Sequence, residues 1–248
     1  MLSLLVDAGI ACAAYQDDHL RNLTCRRIQC DEIWSFCHSK AKNVPEEHQG
    51  ELGYGDIWTW TAIDAETKLV PSFCIGDRSA QTGYLFMKDL ASRIKGKVQL
   101  TTDGHNAYLS AVERAFSADI DYAMLVKIYG DDAKDRRYSP GTFTGAEKRI
   151  VWGHPDEKYI STSHVERQNL TMRMNMRRFT RLTNGFSKKA ENLVCAVALH
   201  FMHYNFVRSH QSLQGRTPAM AAGVADHCWT LDEVVMLIEA GETGNVNF

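Results

Sequence analysis

Three carboxylates in this chain of 248 residues occupy positions from which they could work together on a phosphate group. Asp31 lies within a predicted strand, Asp103 ends another strand at an Asp-Gly turn, and Glu166 begins a predicted helix. Because 72 and 63 residues separate them, only folding can bring them together. Carboxylates on rigid elements suit two-metal phosphoryl transfer, in which two Mg²⁺ ions roughly 3.5–4 Å apart activate the attacking oxygen and stabilise the leaving one.

Each acid taken alone has a simpler explanation. An Asp in a strand or beside Gly is more often an edge or turn residue, and the dipole of a helix favours Glu near its N-terminus. The hypothesis of a metal site therefore depends on the combination of the three acids and on what surrounds them.

The segment that follows Glu166 is strongly basic. From Ser161 to Arg216 nine Lys/Arg stand against two acids, whereas the rest of the chain has 19 basic and 28 acidic residues. On a continuous helix the apolar residues Val165, Met172, Met176 and Phe179 would share one face, and Glu166, Leu170, Arg173 and Arg177 another. The pattern predicts a carboxylate beside guanidinium groups that bind a polyanion. A solvated amphipathic helix with an incidental Glu is the alternative.

The remaining pattern predicts the elements that would position these residues. Predicted strands cover 27–36, 56–63, 68–76, 98–104 and 121–130; predicted helices cover 2–14, 80–95, 107–116, a stretch opening near Ser163, 187–207 and 231–240. Residues 131–160 form a polar insertion, with a small hairpin expected around Lys148–Trp152. Three successive strands followed by alternating helices and strands indicate an α/β fold with a mixed sheet flanked by helices.

Cysteine usage and hydropathy indicate a cytoplasmic protein without a membrane segment. The seven cysteines are scattered and form no CxxC pair, which is typical of reduced thiols. A zinc site built from Cys25, Cys30, Cys37 and His38 is a minor alternative, since the spacing matches no usual zinc motif. No signal peptide is evident, and the apolar stretch Leu193–Tyr204 is too short to span a bilayer.

Three segments of the sequence resemble the active-site motifs of insertion-sequence-one family transposases. These segments are "CDEIWSF" at 30–36, "LTTDGHNAY" at 100–108 and "STSHVERQNLTMRMNMRRFTRLTNGFSKK" at 161–189. The stretches "GDIWTWTAIDAETKLV" at 55–70 and "HYNFVRSHQSLQGRTPAMAAG" at 203–223 are also similar to that family. Its members are bacterial DDE enzymes, and the likeness runs from about Leu20 to Val235.

The resemblance implies a ribonuclease H-like core with a five-stranded mixed sheet and a C-terminal helical extension. Asp31, Asp103 and Glu166 would bind two Mg²⁺ ions, with Mn²⁺ as an alternative. Arg173 takes the place of a basic residue that contacts DNA, while His210 and Tyr204 would support the helix or the DNA, or be satisfied polar residues of a helical layer. The expected DNA-binding residues are Arg173, Arg177, Arg178, Arg181, Lys188, Lys189, Arg208 and His210.

The implied activity is DNA transposition. A metal-activated water would hydrolyse a phosphodiester at an element end, and the freed 3′-hydroxyl would then attack target DNA. Element ends and target DNA are the expected partners, together with further copies of the chain in a homo-oligomer. A nuclease of the same fold that never joins DNA is one alternative, and a non-catalytic DNA-binding relic is another.

The expected domain organisation departs from the family at the N-terminus. Residues 1–25 are interpreted as a remnant of an N-terminal DNA-binding region, since only "LLVDAGIACAAYQD" resembles its last helix. Residues 26–215 form the predicted catalytic core, with 131–160 as an insertion, and 216–248 form a helical tail. The chain would then be a truncated copy or one part of a frameshifted product.

Overall fold

The computed structural model describes residues 2–51, 53–117, 119–130, 142–180 and 184–243. Within them the strands are β1 (Arg27–Cys37), β2 (Gly55–Asp64), β3 (Ser72–Gly76), β4 (Val98–Asp103), β5 (Ile120–Tyr129) and β6 (Phe143–Trp152). The helices are α1 (Leu2–His19), α2 (Ala80–Arg93), α3 (Ala107–Phe116), α4 (Ser163–Asn175), α5 (Ala190–Met202), α6 (Pro218–Ala221) and α7 (Leu231–Thr243).

The six strands form one mixed sheet in the order β3-β2-β1-β4-β5-β6. β2 pairs antiparallel with both β1 and β3, whereas β4 lies parallel to both β1 and β5. Three antiparallel strands followed by two parallel strands that are joined through helices make the ribonuclease H-like arrangement. The predicted α/β fold class, a mixed sheet flanked by helices, is confirmed.

The sheet contains one strand more than the five that were predicted. In place of a small hairpin around Lys148–Trp152, the chain forms β6, which pairs antiparallel with β5 from Tyr122↔Trp152 to Tyr129↔Phe143. Most β6 side chains are exposed, so backbone hydrogen bonds rather than an apolar pattern hold this edge strand. Residues 131–141 of the predicted insertion lie outside the described residues.

The alternation of side chains along β1 decides which residues reach which helical layer. Ile28 and Cys30 pack with α2 and α3 in one core cluster. Ile33 and Cys37 pack with α4 and α5 in the other cluster. Asp31 has the same parity as Ile33 and therefore faces α4.

α1 is longer than predicted and packs into the body of the fold. It reaches His19, and its Cys12 is fully buried. The Gln16 side chain donates a hydrogen bond to the carbonyl of Ala198 on α5 (3.1 Å). Gly9 lies so close to Cys195 that an added Cβ would be 2.3 Å from the Cys195 Cβ. α1 therefore packs closely against α5. The predicted domain boundaries remain predictions.

α5 is the buried helix that the sequence predicted from its apolar run. Leu193, Val197 and Phe201 are completely buried on it, and one π-helical turn, His203–Val207, continues it. Among the described residues, none of the helices is long and apolar enough to cross a membrane.

Candidate active site

Asp31 and Asp103 are brought together by the register of two parallel strands. Cys30 of β1 is opposite Thr102 of β4, so the next residues along the two strands are Asp31 and Asp103. β4 ends at Asp103, whose Oδ1 accepts a hydrogen bond from the backbone N–H of His105 (3.0 Å). Two acids that are distant in sequence therefore become neighbours at the carboxyl end of β4.

Glu32 joins the same group of acids from the other face of β1. β1 continues beyond the end of β4, which leaves the Glu32 side chain free to approach Asp103 around the strand end. Ligand oxygens of Asp31, Glu32 and Asp103 all lie within 4.8 Å of one another. Among the described residues this is the group of potential metal ligands, and it includes Glu32, which the sequence motifs did not predict as a ligand.

The acids of this group disfavour one another's ionisation. Burial raises the pKa of Asp31 to about 7, and the charge of Asp103 adds to that effect. Burial likewise raises the pKa of Glu32 to about 8, again with contributions from Asp103 and Asp31. Hard carboxylate oxygens at this spacing are the ligands that Mg²⁺ and Mn²⁺ prefer, and a divalent cation would relieve the repulsion. The residues therefore fit a divalent ion.

Two side-chain contacts attach α4 to the strand that carries Asp31. The Gln29 Oε1 atom accepts hydrogen bonds from the backbone N–H groups of His164 (2.8 Å) and Val165 (3.3 Å), which belong to the first turn of α4. One turn after Glu166, the Asn169 Nδ2 atom donates a hydrogen bond to the Asp31 Oδ2 atom (2.9 Å). These contacts fix where Glu166 stands relative to β1.

Glu166 lies next to this group of acids, but its carboxylate is bound elsewhere. Asn169, one turn further along α4, contacts Asp31, and the charge of Glu166 adds to the effects that raise the pKa of Asp31. The Glu166 Oε1 atom, however, pairs with the Nζ atom of Lys127 on β5 at 2.7 Å and accepts a hydrogen bond from the Thr162 hydroxyl. Within the described residues, Glu166 is not part of the group whose ligand atoms lie within 4.8 Å.

Arg78 is a cation at the opposite flank of the site. It lies in the loop between β3 and α2, with its Nη2 atom 3.4 Å from the Glu32 Oε2 atom and 3.8 Å from the Asp103 Oδ2 atom. Its guanidinium also stacks over the Trp58 ring at 4.6 Å. With 40% of its side chain exposed, Arg78 neutralises part of the acidic charge and still faces solvent.

Four of the predicted DNA-binding residues line one large groove. Arg177, Arg178, Lys188 and Arg208 surround a cavity of about 1090 Å³ between the segment after α4 and helix α5, with Phe186, His200 and His203 also in its wall. Burial and the nearby His203 and Arg208 lower the pKa of His200 to about 4, so this imidazole is neutral at pH 7. Arginine and lysine therefore supply the positive charge of the groove.

The predicted helix that should have joined Glu166 to Arg177 ends earlier. α4 stops at Asn175 because Met176 takes an extended conformation (φ −118°, ψ 106°), and Arg177 begins a separate 3₁₀ turn. Nine residues of α-helix between Glu166 and Asn175 correspond to about 14 Å. The basic groove thus begins about 14 Å along α4 from Glu166, and no acid of the site lines it.

The other predicted DNA-binding residues lie in different settings. Arg173 is half-buried on α4, and Lys189 is exposed at the start of α5. His210 is half-buried, with its ring packed edge-on against Tyr204 at 4.8 Å. Arg181 lies outside the described residues.

The alternative zinc site does not form. Cys30 faces the α2–α3 layer, whereas Cys37 faces the α4–α5 layer. Cysteine side chains on opposite faces of a sheet cannot converge on one ion, and in the part of the chain that the structure describes no group of potential metal ligands contains a cysteine.

Comparison with known proteins yields structural neighbours only. No protein-family model matches the chain, and no curated protein matches it. Among solved structures, it is similar to the catalytic core domain of BIV integrase, with 13% identity, a TM-score of 0.43, and coverage of 82% of this chain and 97% of that one. It is also similar to piggyBac transposase in a synaptic complex with hairpin DNA, with 8% identity, a TM-score of 0.34, and coverage of 90% of this chain and 55% of that one.

Proposed function

We propose that this protein is a DDE transposase of the insertion-sequence-one family, which cleaves a phosphodiester at the ends of an element and joins the freed 3′ end to target DNA. The observation that carries the proposal is the convergence of Asp31 and Asp103 at the end of β4, beside the helix that carries Glu166. The three sequence motifs that resemble this family each contribute one of these acids.

The acids would hold two Mg²⁺ or Mn²⁺ ions. Asp31 and Asp103 would share them, Glu166 would complete the second position, and Glu32 lies close enough to take part. When bound, the ions would supply electrostatic stabilisation for the attacking and leaving oxygens of phosphoryl transfer.

Residues of the chain itself prepare the site for this chemistry. Asn169 donates to Asp31 and so favours its ionised form, which is the form that binds a cation. Gln29 fixes the first turn of α4 against β1, and thereby sets the separation between Glu166 and Asp31. Arg78, which is partly exposed beside Asp103, would contact a phosphate oxygen of the substrate.

The basic groove would bind the DNA backbone away from the cleaved bond. Its four Arg and Lys side chains are accompanied by no acid in the lining, and α4 leads from the groove to the acidic site. Contacts to phosphate position the nucleic acid without reading its sequence. Arg173, Arg181, Lys189 and His210 belong to the proposed DNA-binding set because of the motif in which they occur.

A strand-transfer assay tests the proposal. Purified protein is incubated with Mg²⁺, target DNA and pre-cut duplexes taken from the DNA that flanks its gene, and joined product is measured. We expect joining by the wild type and by Asp119→Asn, an exposed control on the α3–β5 loop, and none by Asp103→Asn. Cleavage without joining would identify a nuclease instead. DNA binding without either reaction, unchanged in Asp31→Asn, would identify a non-catalytic relic.

A further inference from the structure

The carboxylate of Glu166 is already occupied by a cation that belongs to the chain. Lys127 follows Leu125 by two residues on β5, and Leu125 is opposite Asp103, so Lys127 emerges on the same face of the sheet as Asp31 and Asp103. Its Nζ atom lies 2.7 Å from the Glu166 Oε1 atom. Since the Thr162 hydroxyl donates to this same oxygen, Glu166 is held on the Lys127 side.

The two parts of the site therefore differ in their readiness for a divalent ion. The oxygens of Asp31, Glu32 and Asp103 already lie within 4.8 Å of one another. The cation beside them, Arg78, lies 3.4 Å from Glu32 and 3.8 Å from Asp103, so a divalent ion can bind there without breaking an ion pair as short as that of Lys127. A cation that needs Glu166 must instead displace the ammonium group. An ammonium and a divalent cation repel each other and compete for the same carboxylate oxygen.

We propose that Lys127 competes with the second divalent ion for Glu166, so that the site binds its two ions with unequal affinity until DNA arrives. The inference rests on the proposed function, because it takes Glu166 as a metal ligand. A phosphodiester oxygen offers the ammonium of Lys127 another anionic partner close by. DNA and the second ion then promote each other's binding, since coupling between two ligands is reciprocal.

Calorimetric titration of the full chain with Mn²⁺ in the absence of DNA tests the inference. The wild type should bind one ion tightly and a second more weakly. Lys127→Met, which keeps the length of the side chain and removes its charge, should tighten the second step on the order of fivefold, as expected for a partly exposed ion pair. Lys127→Arg should keep the weak second step.

A matched control is available on the same sheet. Lys97 pairs with the Asp121 Oδ1 atom, also at 2.7 Å, away from the acids of the site. Lys97→Met should leave both binding steps unchanged. A short blunt-ended duplex added to the wild type should tighten the second Mn²⁺ step, and should do so less in Lys127→Met.

The possible results separate the inference from the proposed function. Equal affinity for two ions in the wild type, or an unchanged second step in Lys127→Met, would overturn the role of Lys127 while leaving the metal site intact. Failure of the wild type to bind Mn²⁺ at all would instead refute the proposed function. Should Lys127→Met not fold, Lys127→Gln provides the test: it should likewise tighten the second step, and an unchanged second step would refute the inference.

Discussion

Replacement of Glu32 by Gln should remove a large part of the pH dependence of folding in the metal-free protein. The Glu32 side chain is 1% exposed, and its pKa rises from 4.5 in the unfolded chain to about 8 in the fold. The folded protein therefore retains a proton that the unfolded chain releases. The stability that this proton provides is present below pH 4.5 and is lost as the pH rises through about 8.

The size of this pH dependence follows from the difference between the two pKa values of Glu32, 4.5 in the unfolded chain and about 8 in the fold. A carboxyl group contributes about 1.4 kcal/mol per pH unit between its two pKa values, which sets a ceiling of about 5 kcal/mol here. Because Arg78 is partly exposed and Glu32 interacts with Asp31 and Asp103, we expect about 2–4 kcal/mol. Glu32→Gln has no proton to lose, so its free energy of unfolding should fall correspondingly less as the pH is raised.

The assay is urea denaturation in the presence of EDTA, followed by tryptophan fluorescence at several pH values from 4.5 to 8. The free energy of unfolding of Glu32→Gln should still fall as the pH rises, but less steeply, because the pKa of Asp31 is also raised, to about 7. Glu113→Gln, an exposed substitution on α3, should follow the wild type. Equal pH slopes for Glu32→Gln and the wild type would refute the conclusion that Glu32 holds a proton in the fold.

Three further predictions concern packing, metal binding and DNA binding. Gly9→Ala should lower the free energy of unfolding, measured by urea denaturation, by about 1–3 kcal/mol, because the added Cβ would overlap the backbone of α5. Gly145→Ala is the control and should lower it little, because nothing lies within 4 Å of the added Cβ. Equal losses in the two variants would contradict this packing. Asn169→Ala should weaken Mn²⁺ affinity at the tight step by about tenfold at neutral pH. This loss of affinity should shrink as the pH rises above the pKa of Asp31, because Asp31 is then ionised without the help of Asn169. A loss of affinity that is independent of pH would indicate a structural role alone. Arg177→Gln should weaken binding to DNA duplexes of unrelated sequence by similar factors, as measured by fluorescence anisotropy. The steepness of log K against log salt concentration should fall by about 0.9. An unchanged salt dependence would exclude a contact between Arg177 and phosphate.

The sheet could be predicted because its strands carry strong local signals. β-branched and aromatic residues in β1 and β2, and the Asp-Gly turn after β4, mark their elements without any tertiary information. β6 carries no such signal, since its side chains are mostly exposed and its stability comes from pairing with β5. It was therefore missed as a strand of the sheet.

The end of α4 could not be predicted for a different reason. The apolar spacing of Val165, Met172, Met176 and Phe179 continues past Asn175, and all four residues are buried in the same core cluster. The helix nevertheless ends before Met176, with no Gly or Pro to mark the break. Apolar periodicity reports which side chains face the core, and it cannot distinguish a helix from a turn that keeps the same side inward.

Some residues of the candidate site could be predicted from local sequence signals, whereas others depend on how the strands pair. Asp31 and Asp103 could be singled out because each ends or interrupts a strand that the sequence itself predicts. The position of Glu32 at the site depends on how far β1 extends beyond β4. The position of Arg78 depends on the loop before α2, and that of Lys127 depends on the register of β5. Parity along β5 would have placed Lys127 on the correct face, but only once the pairing of Asp103 with Leu125 was known.

Anomalous X-ray scattering from crystals soaked in Mn²⁺ would test the central claim most directly. A peak should lie between the carboxylates of Asp31 and Asp103, and at high Mn²⁺ a second peak should lie beside Glu166, with Lys127 displaced from it. Bound manganese at other residues, with no density between Asp31 and Asp103, would contradict the assignment of these acids as the metal site.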